Sequence, residues 1–449
     1  MLKHMGSEGR QMLLEILNLA WEQETKPTDW EIGQILPIFK KGNPKDCNNY
    51  RGITVLSSAV KVYEQILNKK LKLFTEPILS ECQSGFRKGR SVQDHIFTVK
   101  EIINRKRQQG EDVYMAFIDL EKAFDSVPRL KFWTSLQKLG VNNKLIRAIK
   151  SLYKNTTNYV IRKNRKSETF TTKDGLRQGG GLSPTLFNIF MDDIIKQCEL
   201  RTKKVLVGYR YLQPVKLSQC AFADDIVLFA PSERELQNNL NIWNEELKNN
   251  GMKINKSKTK IMAITENNQD LDVYLEGVKL EQVDQYKYLG VLLDKTGDQE
   301  AEINVRIENT LKLYFAMNKS FINKKEISRK TKINVFKAVY RPVLTYACES
   351  WILSKRQKSK IQATEMKYLR RTIGVTRRNR IKNTQIREEV GVQSTLEFIE
   401  QRQLSWWGHL VRLNDIKPAQ EIFIFIILSM RGNQAYYGET WILVIIRLL

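Results

Sequence analysis

The chain has 449 residues, 42% of them hydrophobic, enough for roughly two to four domains with real cores. Lysine plus arginine number 74 against 49 acidic residues, and the formal charge of +25 predicts a polyanionic partner, nucleic acid or an anionic membrane. No apolar run approaches the ~20 residues that span a bilayer, the five cysteines form no CxxC pair, and the three histidines lie far apart. The membrane, a disulfide framework, a zinc knuckle and a Ser-His-Asp triad are thereby set aside. The first residues, MLKHMGSEGRQ, lack a signal-peptide apolar core. The scattered cysteines fit a reducing intracellular compartment. Any catalysis must lean on carboxylates, lysines and arginines.

In chain order, residues 1–29 predict an amphipathic helical extension carrying Leu13, Leu14, Ile16, Leu17 and Ala20, then a turn at Lys26–Asp29. EIGQILPIFKKGNP predicts a strand that ends in a basic loop. SSAVKVYEQILNKKLKLF predicts a helix capped by Ser57 or Ser58. VYMAFIDL, 113–120, predicts a strand ending on Asp119. VPRLKFWTSLQKLG predicts a helix with Pro128 in its first turn and Gly140 at its stop. In LSPTLFNIFMDDIIKQC, Ser183 is the expected cap, Pro184 the first helical residue, and Phe187, Phe190, Met191, Ile194 and Cys198 the apolar stripe. ERELQNNLNIWNEELKNNG predicts a helix with Leu236, Leu240, Trp243 and Leu247 on one side, closed by Gly251. YKYLGVLLD, 286–294, predicts a strand or hairpin. Beyond about residue 298 the pattern is helical, which puts a boundary near 295. In 302–315 the four-residue spacing of Ile303, Ile307, Leu311 and Phe315 predicts a core-facing stripe. The last segment, 413–449, holds two aliphatic runs without a helical stripe. It predicts either a final strand pair or, preferred, a divergent tail foreign to what precedes it.

The stretch CAFADDIVLFA, 220–230, places Asp224 and Asp225 between two apolar runs, as at a hairpin tip. A solvent-exposed turn is the common fate of such a pair, and Asp tolerates the positive φ a turn often needs. The apolar flanks argue instead for a buried sheet. Asp119 also ends an apolar strand. If the strands are neighbours, three carboxylates converge at one sheet edge. Oxygen-only ligands of that kind suit Mg²⁺, with Mn²⁺ a substitute. Two such ions about 4 Å apart would clamp the attacking and leaving oxygens of a phosphoryl transfer.

The order of further motifs is specific. NNYRGITVLSS (48–58) and QSGFRKGRSVQDHI (83–96) come first, then Asp119 with EKAFDS. GLRQGGGLSP (175–184), FADD, GMKINKSKTK (251–260) and YKYLGVLLD follow. From about Trp30 to Asp294 this set resembles the reverse transcriptase of non-LTR (LINE-type) retrotransposons. The likeness continues through TYACESWIL and QLSWWGHLVR. The resemblance implies an α+β right-hand polymerase, with fingers and an antiparallel palm over 30–295 and a helical thumb and C-terminal region over 296–412. It implies RNA-templated DNA synthesis from dNTPs onto a DNA primer 3′-hydroxyl, in the nucleus where target-primed synthesis occurs.

Residue by residue, the resemblance makes Asp119, Asp224 and Asp225 the metal-binding carboxylates. Phe124 matches the side chain under the sugar that rejects a ribose 2′-hydroxyl, with core packing as its plainer role. Gln178 and Gly179 match the segment beside the nascent base pair. Arg51 matches a fingers arginine on the triphosphate, and Lys45 its lysine partner, with Lys40 and Lys41 competing. Lys258 matches a lysine that could protonate departing pyrophosphate, against a plain surface lysine. In MKYLRRTIGVTRRNRIK the residues Arg370, Arg371, Arg377, Arg378 and Arg380 are expected on phosphates. Trp406 and Trp407 could stack on bases, with packing onto the helix the more ordinary outcome. The Gly180–Gly181 pair departs from the family pattern and is expected to loosen the helix start. No apurinic-type endonuclease or C-terminal zinc knuckle is visible, so target nicking is expected from another chain or a longer product. Two other readings share these motifs: an RNA-dependent RNA polymerase, and an inactive or domesticated remnant that only binds nucleic acid.

Overall fold

A computed structural model of the chain describes residues 4–163, 165–207, 214–266, 269–413 and 417–430, the last six by backbone alone. The helices that frame the site are α1 (Ser7–Glu22), α2 (Ser58–Thr75), α3 (Val92–Gln108), α4 (Arg129–Lys138), α5 (Asn143–Tyr153), α6 (Ser183–Arg201) and α7 (Glu233–Asn249). Downstream lie α8 (Glu300–Met317), α9 (Lys355–Thr372), α10 (Thr395–Val411) and α11 (Pro418–Met430). The strands that frame the site are β1 (Ile32–Phe39), β2 (Tyr50–Val55), β3 (Val113–Ile118), β4 (Thr157–Arg162), β5 (Gln219–Phe222) and β6 (Asp225–Ala230). After them come β7 (Lys260–Ile264), β8 (Glu281–Gln282), β9 (Gln285–Tyr288) and β10 (Val291–Asp294).

The fold is α+β, as expected. One sheet pairs β1 antiparallel with β2 and parallel with β4. The central sheet runs β8–β7–β3–β6–β5, antiparallel except for the short parallel edge β8. Its central strands, β3 and β6, are apolar along most of their length because both faces are covered. Side chains alternate across the pleat. Ala116, Ile118, Ile226, Leu228 and Ile261 therefore join one core, with α6 and α7. Met115, Phe117, Val227, Phe229 and Met262 join another, with Phe97 and Ile102 of α3. Leu236, Leu240, Trp243 and Leu247 of α7 are all fully buried, as their spacing predicts, each contributing ~1.5–3 kcal/mol by area removed from water. Ser57, not Ser58, caps α2 by accepting from the Val60 N–H.

Four local expectations are corrected. The cap of α6 is Leu182, so Ser183 opens the helix instead. Its hydroxyl is taken by the Arg177 carbonyl at 2.7 Å. Pro128 precedes the first turn of α4 as its cap. Along α8, Ile303 is buried but Phe315 is 62% exposed. Each four-residue step overshoots a full turn by about 40°, so three steps rotate the stripe off the core. Finally, residues 417–424, the described start of that segment with side chains, are not foreign to what precedes them. α11 is a helix, and its Ala419, Ile422 and Phe423 share the core of the palm strands with Trp406, Trp407 and Leu410 of α10. An apolar segment covered by partners needs no polar stripe, which hid the helix. Residues 431–449 lie outside the described residues.

Candidate active site

β3 and β6 are antiparallel neighbours with Ile118 opposite Ile226. The next pair beyond them is Asp119 and Asp225. β5 and β6 form a hairpin in which Phe222 faces Asp225, so Ala223 and Asp224 make its two-residue turn. The three carboxylates thus meet at one rim of the central sheet. The left-handed residue of the turn is Ala223 (φ 59°), not an aspartate as expected.

The rim is electrostatically strained. Desolvation pushes the Asp225 carboxyl up to about 6, although its edge faces solvent, with repulsion from Asp224 and then Asp119 adding to it. Asp224 is raised by desolvation and by Asp119, and is held back by its own backbone N–H, Arg51 and Lys258. The Lys258 ammonium lies 3.0 Å from Asp119 Oδ2. Among the described residues no group of three or more His, Cys, Asp or Glu side chains is arranged to hold a metal ion, the rim trio included. In kind, though, the donors of Asp119, Asp224 and Asp225 suit a divalent cation. They are oxygen-only and mutually repulsive, and Mg²⁺ keeps water and substrate oxygens in most of its positions.

Two long-range contacts hold this rim that no local sequence signal reveals. Gln83 is fully buried, and its side-chain amide grips Ala223 from both sides. Gln83 Oε1 accepts from the Ala223 N–H at 2.8 Å, and Nε2 donates to the Ala223 carbonyl at 3.2 Å. Residues 82–84 run along β5 as well, through the Ala221 N–H to Cys82 and the Ser84 N–H to Ala221. Gly85 follows where a Cβ would collide with the Ala223 nitrogen. The second contact is Tyr286 of β9, stacked on Phe117 at 4.1 Å. Burial, then Asp225 and Asp119, push its hydroxyl up to about 12.

Phe124 is half-buried, stacked on Phe187 at 4.6 Å and edge-on to the exposed Phe86 at 6.3 Å. Gln178 Nε2 donates to Asp125 Oδ1 at 3.1 Å, and its carbonyl accepts from the Thr54 N–H at 2.6 Å. That backbone bond ties the 175–184 loop to β2. Gly179 sits at φ 112°, and a Cβ there would lie 2.6 Å from the Thr54 carbonyl oxygen. The Gly180–Gly181 pair is pinned, not loosened: the Gly181 N–H donates to the buried Glu64 carboxylate at 2.7 Å. Arg51 is exposed on β2, and its charge reaches both Asp224 and Asp125. Lys40 acts on Asp125 in the same way. Lys45 is exposed in the following loop, its backbone N–H taken by Asn43 Oδ1 at 3.0 Å.

The basic cluster divides. Arg377, Arg378 and Arg380 are exposed. Arg370 is half-buried and bonds the Ile381 carbonyl and Asn383, while Arg371 bonds Asn318. Trp406 and Trp407 are buried. Trp406 packs edge-on to Phe97 at 4.9 Å and donates to Asp94 Oδ1 at 3.0 Å, so packing replaces base stacking.

Residues 38–293, more than half of the chain, match the family model described as reverse transcriptase (RNA-dependent DNA polymerase). A probable RNA-directed DNA polymerase from transposon BS of Drosophila melanogaster is 28% identical over 79% of this chain and 40% of its own length. The RNA-directed DNA polymerase from mobile element jockey of the same species is 25% identical over 83% of this chain and 41% of its own. A Pol polyprotein from the type-1 retrotransposable element R2 of Nasonia vitripennis is 26% identical over 60% of this chain and 26% of its own. The chain thus spans about two fifths or less of these relatives' lengths. The solved telomerase of Candida tropicalis, in complex with a fragment of telomeric RNA, aligns over 96% of this chain and 67% of that chain, at 13% identity and TM-score 0.45. With the family's segment running from β1 through the carboxylate rim to β10, the chain belongs to the reverse transcriptase family.

Proposed function

We propose that this chain synthesises DNA on an RNA template, joining dNTPs to a DNA primer 3′-hydroxyl, as part of a non-LTR retrotransposon product. The observation that carries the reading is the rim where Asp119, Asp224 and Asp225 converge within a family-matched segment. Mg²⁺ bound there supplies Lewis-acid stabilisation of the attacking and leaving oxygens. The residues of the chain do the rest. Asp119, Asp224 and Asp225 hold the cations and draw relief from their mutual repulsion. Arg51, with Lys40 more than Lys45, neutralises the triphosphate, since the charge of Arg51 reaches Asp224 and both charges reach Asp125. Phe124, fixed by Phe187, forms the floor against which a ribose 2′-hydroxyl would clash. Gln178 and Gly179 seat the nascent base pair from a loop tied to β2. Lys258 delivers a proton to the departing pyrophosphate after it leaves its Asp119 partner.

Primer extension with dNTPs or rNTPs tests this reading. The wild type extends with dNTPs on RNA, and Phe124→Ala gains ribonucleotide incorporation. Equal use of both nucleotides by the wild type would favour an RNA polymerase. RNA binding without extension would favour a remnant that only binds.

A further inference from the structure

Outside the palm, α8, α9 and the turn at 375–383 enclose an open cleft of about 720 Å³. Lys367, Arg370, Arg371 and Arg377 line it, and no acidic side chain does. Other cations among the described residues stand beside carboxylates, as Lys312 by Glu308 and Arg387 by Glu365. Here two guanidiniums are aimed by neutral partners, which fix direction without cancelling charge. Arg370 Nη2 donates to the Ile381 carbonyl at 2.9 Å and to Asn383 Oδ1 at 2.8 Å. Its buried Nη1 has no hydrogen-bond partner. Arg371 Nε donates to Asn318 Oδ1 at 3.3 Å. An uncompensated donor of this kind costs free energy unless an anion arrives to accept from it.

The rim adds a second kind of contact. Lys367 Nζ lies 5.0 Å from the Tyr314 ring centre and 4.3 Å from that of Phe315. Phe315 is 62% exposed, a large aromatic face next to the cation cluster.

We propose that this cleft binds single-stranded nucleic acid, its phosphates on Arg370, Arg371 and Arg377 and a base stacked on Phe315. A duplex hides its base faces, so an exposed ring offers it little, whereas a single strand presents a π-face at every nucleotide. RNA and DNA share this chemistry. The inference rests on the polymerase reading only for its place in the reaction, as the seat of strand flanking the copied duplex.

The test is fluorescence anisotropy on the full chain. The probes are labelled RNA and DNA strands about 12 nucleotides long and a blunt duplex of the same sequence. Lys367→Glu combined with Arg377→Glu should lower single-strand affinity about tenfold or more, since both residues are exposed and reversal leaves the fold intact. Phe315→Ser should lower it about fivefold. Phe315→Ser should leave duplex affinity within about twofold of wild type, because a duplex hides its base faces. A loss confined to the RNA strand or shared by both strands supports the proposal and names the ligand. Unchanged single-strand affinity, or an equal loss for strand and duplex in Phe315→Ser, overturns it. Asp224→Asn, which should abolish extension yet keep strand binding, separates this proposal from the polymerase reading.

Discussion

Ala223 bears the local cost of presenting two aspartates side by side. A left-handed non-glycine residue costs about 1–2 kcal/mol, and the buried Gln83 amide offsets it with two hydrogen bonds. Gln83→Leu keeps the volume and removes the grip. We predict that turnover falls at least about tenfold while the KM for nucleotide changes little, because the turn then wanders at the reacting centre, and that the melting temperature falls too, since the buried Ala223 N–H and carbonyl lose their partners. Steady-state extension separates the two parameters. Gly179→Ala should lose activity for a different reason. Its φ of 112° and the Thr54 carbonyl oxygen 2.6 Å from a Cβ together cost about 1–3 kcal/mol, displacing the Gln178 loop. At this scale the aspartates were legible because the motif is contiguous and its flanks are apolar. Gln83 was not, because it meets Ala223 across 140 residues of chain. Tyr286 stood in a recognised motif, but nothing in YKYLG says that it stacks on Phe117.

At the scale of elements, α3 and α11 carry predictions. His95 of α3 is buried edge-on to Phe222, and burial lowers its pKa to about 4, with Asp94 opposing that shift and Arg90 adding to it. The unfolded chain therefore binds a proton that the folded chain rejects as pH falls below about 6.5. Stability is full above that value and declines toward pH 4, by about 2 kcal/mol at pH 5. Urea titrations of the wild type and His95→Leu at pH 7.5 and 5 should show this slope in the wild type and a flatter one in the variant. For α11, Phe423 packs edge-on to Trp407 at 5.0 Å. Phe423→Ala should destabilise by about 3 kcal/mol, as a core truncation does. A tail independent of the palm would leave stability unchanged. The helices α2 and α7 were legible from period and caps. The end of α8 was not, because a strict four-residue spacing leaves the 3.6-residue helix face. α11 was not, because an apolar helix covered by partners shows no polar stripe and its partner α3 lies far back in sequence.

For the whole molecule, a charge of +25 makes nucleic-acid affinity an ionic property. Log affinity for RNA should fall linearly with log salt, with a slope of about −4 or steeper if six or more phosphates are neutralised. Charge and motif order made the architecture legible before any coordinate. They gave no hint that α10 and α11 return to cover the second face of the palm sheet.

The most direct test is primer extension on an RNA template with Mg²⁺, wild type against Asp224→Asn. The account predicts dNTP-dependent extension by the wild type and at least a thousandfold loss in the variant, about 4 kcal/mol of barrier. Equal extension by the two proteins, or none by a wild type that still binds RNA, would contradict it.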